Sequence, residues 1–107
     1  MNNRKLKIEE QLRELGAKFL QENGNKSSLI TVTKVELTHN GKNATIFFTV
    51  FPDNFEKTAL EFAKRKRGEF KEFVKENSRI GMIPQLDFDI DLGEKHRQRI
   101  DEISSEI

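Results

Sequence analysis

The sequence of 107 residues contains no cysteine, no tryptophan and no tyrosine, and it has only two prolines. The lack of cysteine excludes disulfide bonds, thiol chemistry and cysteine-based zinc or iron–sulfur sites. No apolar run approaches the roughly 18 residues that a membrane-spanning helix needs. The charged segment 1–10 is also unlike a signal peptide. We therefore expect a soluble, cytoplasmic protein that forms a single domain over residues 1–107 and binds no membrane.

The charge is unevenly distributed along the chain, although the formal net charge is only +1. Residues 1–83 contain 16 Lys and Arg against 11 Asp and Glu, a net of +5. Residues 84–107 contain 3 against 7, a net of −4. A basic body with an acidic end is compatible with a protein that binds nucleic acid on one side.

The first half of the chain predicts one helix and two strands. Apolar residues at three- and four-residue spacing predict a helix from about Arg4 to Glu22. Two segments rich in β-branched and aromatic residues, 29–37 and 43–51, predict strands. The Asn40-Gly41 dipeptide between them is typical of a hairpin turn.

The second half predicts a helical region, a third strand and a charged tail. The helical region covers about residues 54–77, but its apolar stripe is interrupted at 66–67, so we expect two helices that meet at a kink. From residue 86 to residue 92, apolar residues alternate with three aspartates, which predicts one apolar face and one exposed acidic face. Residues 94–107 are expected to form a charged tail, in part a frayed helix. The expected fold class is α+β, with a three-stranded sheet and helices packed on one face.

The segment Lys64-Arg65-Lys66-Arg67-Gly68 places four cations and a glycine inside this helical region. A glycine inside a helix costs roughly 1 kcal/mol relative to alanine, and a run of like charges repels itself. Both features are locally unfavourable, so they predict a kink at Gly68 that presents cations to an anion such as phosphate. Three more cations extend this candidate surface: Lys71, Lys75 and Arg79. The alternative interpretation is a solvated helix face whose cations pair with nearby glutamates.

A second basic cluster lies at the start of the first helix and consists of Arg4, Lys5 and Lys7. Cations at this end oppose the helix dipole and gain nothing structurally, which favours a binding role. A solvated chain terminus is the alternative interpretation.

The element order helix, strand, strand, kinked helix, strand is the topology of the bacterial type of KH domain. The residues resemble the ribosome-binding factor A family more specifically. The resemblance rests on the strands 30–37 and 44–50, on the spacing from Gly68 to Pro84, on Pro84-Gln85-Leu86-Asp87-Phe88 and on Arg99-Ile100-Asp101-Glu102-Ile103. In that family a helix–kink–helix element reads Ala-x-Gly. Lys66, Arg67 and Gly68 stand at its positions, with lysine in place of alanine.

This resemblance implies a KH-like, non-enzymatic assembly factor that acts without a cofactor. It implies binding to the small (30S) ribosomal subunit during maturation and contact with 16S rRNA. Such binding would hold an immature rRNA conformation or bar premature entry into translation. We expect a monomer whose RNA contacts are the basic residues named above.

Two other functions fit the sequence less well. The same fold can serve as a protein-interaction or structural module whose charges only keep it soluble, or as a generic RNA-binding module without a ribosome role. The three aspartates Asp87, Asp89 and Asp91 could in principle hold a divalent cation in a small hydrolase. Neither His39 nor His96 stands at a recognisable metal-ligand spacing, so an exposed acidic strand face is the preferred interpretation.

Overall fold

The computed structural model describes residues 3–24 and 27–105, and the side chains of residues 4–24 and 27–98. The resemblance quoted at 99–103 therefore lies outside the described side chains. In chain order the elements are α1 (Asn3–Asn23), β1 (Leu29–Leu37), β2 (Asn43–Phe51), a 3-10 turn (Asp53–Phe55), α2 (Glu56–Arg65), α3 (Arg67–Asn77), β3 (Gln85–Ile90) and α4 (Leu92–Ser105). The expected α+β class and element order are confirmed, with α4 as an additional helix.

The sheet is mixed and has the strand order β1-β2-β3. β1 and β2 pair antiparallel through the predicted hairpin, where Gly41 has a φ of 73° and its amide donates to the Thr38 carbonyl at 2.9 Å. β3 pairs parallel with β2 because the α2–α3 connection returns the chain to the same end of the sheet. β3 is therefore an edge strand next to α2 and α3.

A chain of phenylalanine rings connects the sheet to the helices. Phe48 of β2 contacts Phe88 of β3, with ring centroids 6.4 Å apart. Phe88 contacts Phe70 of α3 at 5.2 Å, and Phe70 contacts Phe19 of α1 at 5.2 Å. Burying each ring contributes on the order of 2–3 kcal/mol, so these ring contacts fix α3 against the sheet.

Close packing also positions α1 on the sheet. A Cβ on Gly16 would lie 3.2 Å from Ile46 Cγ2 and 3.8 Å from the tip of Phe70. Contacts this short leave little room for a side chain, so glycine allows α1 to approach β2. α1 and α3 run antiparallel, because Phe19 lies against Phe70 and Phe73 while Gln11 lies beside Arg79.

The structure corrects the predicted end of the third strand. Alternation in the sequence extends the strand to Leu92, but β3 ends at Ile90 and α4 begins at Leu92, whose side chain is 58% exposed. Asp91 is buried, so it does not belong to an exposed acidic face. Its carboxylate accepts a hydrogen bond from the Glu94 amide at 3.0 Å and so caps the first turn of α4. The predicted charged tail is thus helical through residue 105.

Candidate nucleic-acid interface

The break between α2 and α3 falls on Lys66. Its backbone has φ −93° and ψ 8°, which differs from an α-helix mainly in ψ. The Lys66 amide still donates to the carbonyls of Phe62 and Ala63, both at 3.1 Å, and its carbonyl accepts from the Phe70 amide at 2.9 Å. One residue therefore closes the last turn of α2 and opens the first turn of α3. We refer to residues 64–68 as the basic junction.

The structure corrects the predicted position of the kink, which was expected at Gly68. Gly68 is the second residue of α3, and within the described ranges only Gly41 has a positive φ. A Cβ added to Gly68 would meet no atom within 4 Å. Neither the kink nor the packing of the described residues therefore requires a glycine here.

Asp87 of β3 lies between two cations of the basic junction. Its Oδ1 accepts hydrogen bonds from Lys64 Nζ and from Arg67 Nη1, both at 3.2 Å. It also accepts from the Phe88 amide at 2.8 Å. Burial raises the pKa of Asp87, but the Phe88 amide and the charges of Lys64 and Arg67 outweigh it, so the pKa lies below its usual value of 3.8.

Arg67 has a second, structural contact, because its Nε donates to the Lys64 carbonyl at 2.9 Å. This bond gives a side-chain donor to one of the last four carbonyls of α2, which lack i+4 amide partners within the helix. Lys64 and Arg65 occupy the last turn of α2, where cations also interact favourably with the helix dipole. Part of the basic run is therefore explained by the ends of the two helices.

The other two cations of the run have different surroundings. Lys66 Nζ lies 3.2 Å from Glu69 Oε1 and 5.9 Å from the centroid of the Phe62 ring. Arg65 has no acidic partner within the part of the chain that the structure describes. It lines a groove of about 260 Å³ between the end of α1 and α2. Three of the four cations thus form ion pairs with carboxylates of the protein. The sequence suggests pairing with nearby glutamates but not the pairing with Asp87.

The candidate surface continues along α3. Arg67, Gly68 and Lys71 line one side of an open groove of about 540 Å³, whose other side includes Gln85 of β3. Lys71 is exposed and has no acidic partner among residues 3–24 and 27–105, whereas Lys75 Nζ lies 3.4 Å from Glu72 Oε1. The structure therefore brings Arg67 and Lys71 to one groove and directs Arg65 to the other side of the junction.

The remaining predicted contacts lie at the opposite end of the helices. Arg79 follows the C-terminus of α3 and lies beside Gln11 of α1. Phe19 of α1 packs against the half of α3 that is nearer the basic junction. Lys5 lies 14 residues before Phe19, which is about 21 Å along the axis of α1. The structure therefore does not bring the N-terminal cluster to the basic junction. This cluster consists of Arg4, Lys5 and Lys7.

The three aspartates at the end of the sequence pattern are not arranged as a metal site. Asp87 pairs with the side chains of Lys64 and Arg67, and Asp89 is exposed. Asp91 is buried, and its Oδ2 accepts a hydrogen bond from Thr33 Oγ1 at 2.5 Å. Burial raises the pKa of Asp91, but the Thr33 hydroxyl and the Glu94 amide lower it overall. Among the described residues, no group of three or more His, Asp or Glu side chains could hold a metal ion.

In residues 3–24 and 27–105, no helix is both long enough and apolar enough to cross a membrane.

Comparison with known proteins identifies relatives of this chain. The profile of the family described as Ribosome-binding factor A matches residues 4–104. A Kosmotoga olearia protein named ribosome-binding factor A is 32% identical over 81 residues, which cover 75% of this chain and 65% of that protein. This match therefore spans slightly less than two thirds of the relative's own length.

Solved structures show the same fold. The crystal structure of ribosome-binding factor A from Thermus thermophilus has a TM-score of 0.70 and 24% identity, covering 80% of this chain and 94% of that one. A homology model of Thermus thermophilus ribosome binding factor A, fitted into the cryo-EM map of its complex with the 30S subunit, has a TM-score of 0.66 and 23% identity. It covers 76% of this chain and 88% of that one.

The profile match includes all the described helices and strands except the first residue of α1 and the last of α4. It also includes the basic junction. The family is named for binding the ribosome and not for a reaction. This chain is a member of the ribosome-binding factor A family.

Proposed function

We propose that this protein binds the small ribosomal subunit during its maturation and contacts 16S rRNA through the basic junction and Lys71. Membership of the ribosome-binding factor A family supports this proposal. It is also supported by the fold that the chain shares with a relative fitted into the map of a 30S complex. The protein acts by binding, without a cofactor, as a cytoplasmic monomer formed by residues 1–107.

The observation that carries the assignment of the surface is the environment of Gly68. It lies in the first turn of α3, exposed, with no neighbour within 4 Å of a Cβ position. Glycine lowers helix stability, and nothing in the part of the chain that the structure describes explains its presence. A side chain at this position would point toward the N-terminus of α3, where the backbone amides of the first turn are available to an anion. A phosphate that approaches these amides therefore explains why a side chain is absent.

The cations around Gly68 fit the same ligand. Arg65 and Lys71 have no acidic partners among the described residues and lie on the two sides of the junction. Contacts of this kind recognise the position of the RNA backbone and carry little sequence information. The surface therefore recognises the shape of a folded rRNA segment.

A second candidate function is a protein-interaction module on the same fold. The internal pairing of Lys64, Lys66 and Arg67 favours it, because paired cations contribute less to phosphate binding. The two functions differ in salt dependence, since phosphate contacts release counterions and give a steep dependence of affinity on salt.

The test is co-sedimentation of the protein with purified small ribosomal subunits over a range of salt concentrations. The variant Arg65→Gln/Lys71→Gln removes the two cations without internal partners. The control Lys18→Gln/Lys34→Gln removes two exposed cations from α1 and β1. At roughly 1 kcal/mol per contact, the first variant is expected to bind up to about 30-fold more weakly. Its slope of log affinity against log salt is expected to be shallower by about 1.5.

The control is expected to bind like the wild type. Equal affinities of both folded variants would refute the assignment of the surface. Failure of the wild type to co-sediment with small subunits at low salt would refute the function itself. Binding with little salt dependence would favour the protein-interaction module.

A further inference from the structure

Asp87 occupies the place in the basic junction that an external anion would take. Its Oδ1 accepts from Lys64 Nζ and Arg67 Nη1 at 3.2 Å each, so a single oxygen lies within hydrogen-bond distance of both cations. A phosphate oxygen makes the same kind of charge-assisted bonds. We infer that the Asp87 carboxylate competes with rRNA phosphate for Lys64 and Arg67, and that its displacement sets the affinity of the basic junction. This inference rests on the proposed function.

The three side chains are arranged so that exchange is possible. Lys64, Arg67 and Asp87 keep 40%, 49% and 42% of their side-chain surface exposed to solvent. Ion pairs this exposed contribute little to stability, so a phosphate can replace the carboxylate at small cost. When a phosphate takes its place beside Lys64 and Arg67, the Asp87 carboxylate still has hydrogen-bond partners. Its Oδ1 keeps the bond from the Phe88 amide, and the carboxylate stays in contact with water.

The competition reduces the charge available to RNA. The basic junction carries four cations, and the carboxylates of Asp87 and Glu69 lower its local net charge to +2. Glu69 lies in the first turn of α3, three residues after Lys66, the single cation with which it pairs. Asp87 instead comes from the edge strand and holds two cations at once, so it has the larger effect on phosphate binding.

The strand provides a matched control for this inference. Asp89 lies two residues beyond Asp87 on β3 and is exposed, and its Oδ1 accepts from the next amide, that of Ile90, at 2.8 Å. It has no cation partner within residues 3–24 and 27–105. Asp87→Asn and Asp89→Asn therefore change the net charge equally and preserve the same local hydrogen bond. Only Asp87→Asn removes a negative charge that is paired with Lys64 and Arg67.

The experiment measures the affinity of wild type and both variants for purified small ribosomal subunits by co-sedimentation at fixed salt. Asp87→Asn is expected to bind about 3- to 10-fold more tightly than Asp89→Asn, which corresponds to one or two exposed ion pairs. The same pair of substitutions is then made in a Lys64→Gln/Arg67→Gln background, where we expect no difference between them. Circular dichroism and thermal unfolding establish that each variant is folded.

Three results would overturn the inference. Equal binding of Asp87→Asn and Asp89→Asn shows that Asp87 does not compete. Weaker binding of Asp87→Asn shows that the carboxylate organises the cations instead. A difference that persists without Lys64 and Arg67 shows that it acts through other groups. All three require that wild type binds, so they are distinguishable from failure of the proposed function, in which wild type does not bind.

Discussion

Gly68→Ala is expected to raise the stability of the protein while it weakens binding to the small ribosomal subunit. Gly68 lies in the first turn of α3, its φ is not positive, and an added Cβ meets no atom within 4 Å. Alanine at such a position reduces the entropy of the unfolded chain and is worth about 0.5 kcal/mol. For 107 residues, this corresponds to a rise in melting temperature of about 2 °C.

The expected loss of binding has a geometric cause. The Cβ of a helical residue points toward the N-terminus of its helix, so the methyl group would project into the space before the first amides of α3. A phosphate oxygen must come within about 3 Å of these amides to accept a hydrogen bond. We expect at least about a tenfold loss of affinity for small subunits, equal to about 1.4 kcal/mol.

Gly93→Ala is the matched control for this substitution. Gly93 is also the second residue of an α-helix, is exposed, and would place its Cβ 3.6 Å from Asp91 Oδ1, an ordinary contact distance. Urea denaturation should show both variants slightly stabilised, and co-sedimentation should show a loss only for Gly68→Ala. If Gly68→Ala binds as tightly as Gly93→Ala, no ligand approaches α3 closely. If Gly68→Ala is destabilised, the open environment assigned to this residue is wrong.

Four further outcomes are expected. Phe70→Ala should lower the free energy of unfolding by about 3–5 kcal/mol, because its ring is fully buried; a loss below about 1 kcal/mol in urea denaturation would contradict the packing described. Asp91→Ala should cost about 0.5–2 kcal/mol and reduce helicity by circular dichroism, because it removes the cap of α4; unchanged stability would count against that cap. The lowered pKa values of Asp87 and Asp91 mean that their stabilisation is present above the usual value of 3.8 and is lost as the pH falls through the lower folded-state values. Asp87→Asn/Asp91→Asn should therefore lose less stability than wild type between about pH 5 and about pH 2, and an equal loss in urea denaturation would refute this. Arg65→Gln alone should change stability by less than about 0.5 kcal/mol yet weaken co-sedimentation with small subunits; a melting temperature lowered by several degrees would show a structural role for Arg65.

Local sequence signals predict the sheet and the first helix closely. The bounds expected for the first two strands, 29–37 and 43–51, agree with the structure, and α1 extends one residue beyond the prediction at each end. These elements combine period-specific apolar patterns with a strong turn signal at Asn40-Gly41, so local and tertiary preferences agree. The predicted end of β3 was wrong, although Asp91 and Glu94 have the spacing of a capping box and could have indicated the start of α4.

The surface of the basic junction was harder to predict. Gly68 attracts the predicted kink because glycine is the usual site of backbone irregularity, yet Lys66 makes the break with a change in ψ that many residues tolerate. The pairing of Asp87 with Lys64 and Arg67 depends on the parallel alignment of β3 with β2. Such long-range contacts leave no periodic signal in a single sequence. The anion-binding surface that the residue types indicate stays a prediction, and the pairing of its cations with Asp87 could be found only from the tertiary structure.

The phenylalanine chain has a consequence for genetic screens of this protein. Phe70 lies one turn after the break, where its amide donates to the Lys66 carbonyl while its ring contacts Phe88 in the interior, so one residue connects the break with the core. Substitutions at Phe19 or Phe88 would remove contacts of the Phe70 ring. They would therefore shift α3 and the basic junction while leaving every charged residue of the junction unchanged. A selection for defective subunit association would therefore recover interior aromatic positions together with surface arginines and lysines. Only parallel measurement of unfolding would separate the two groups.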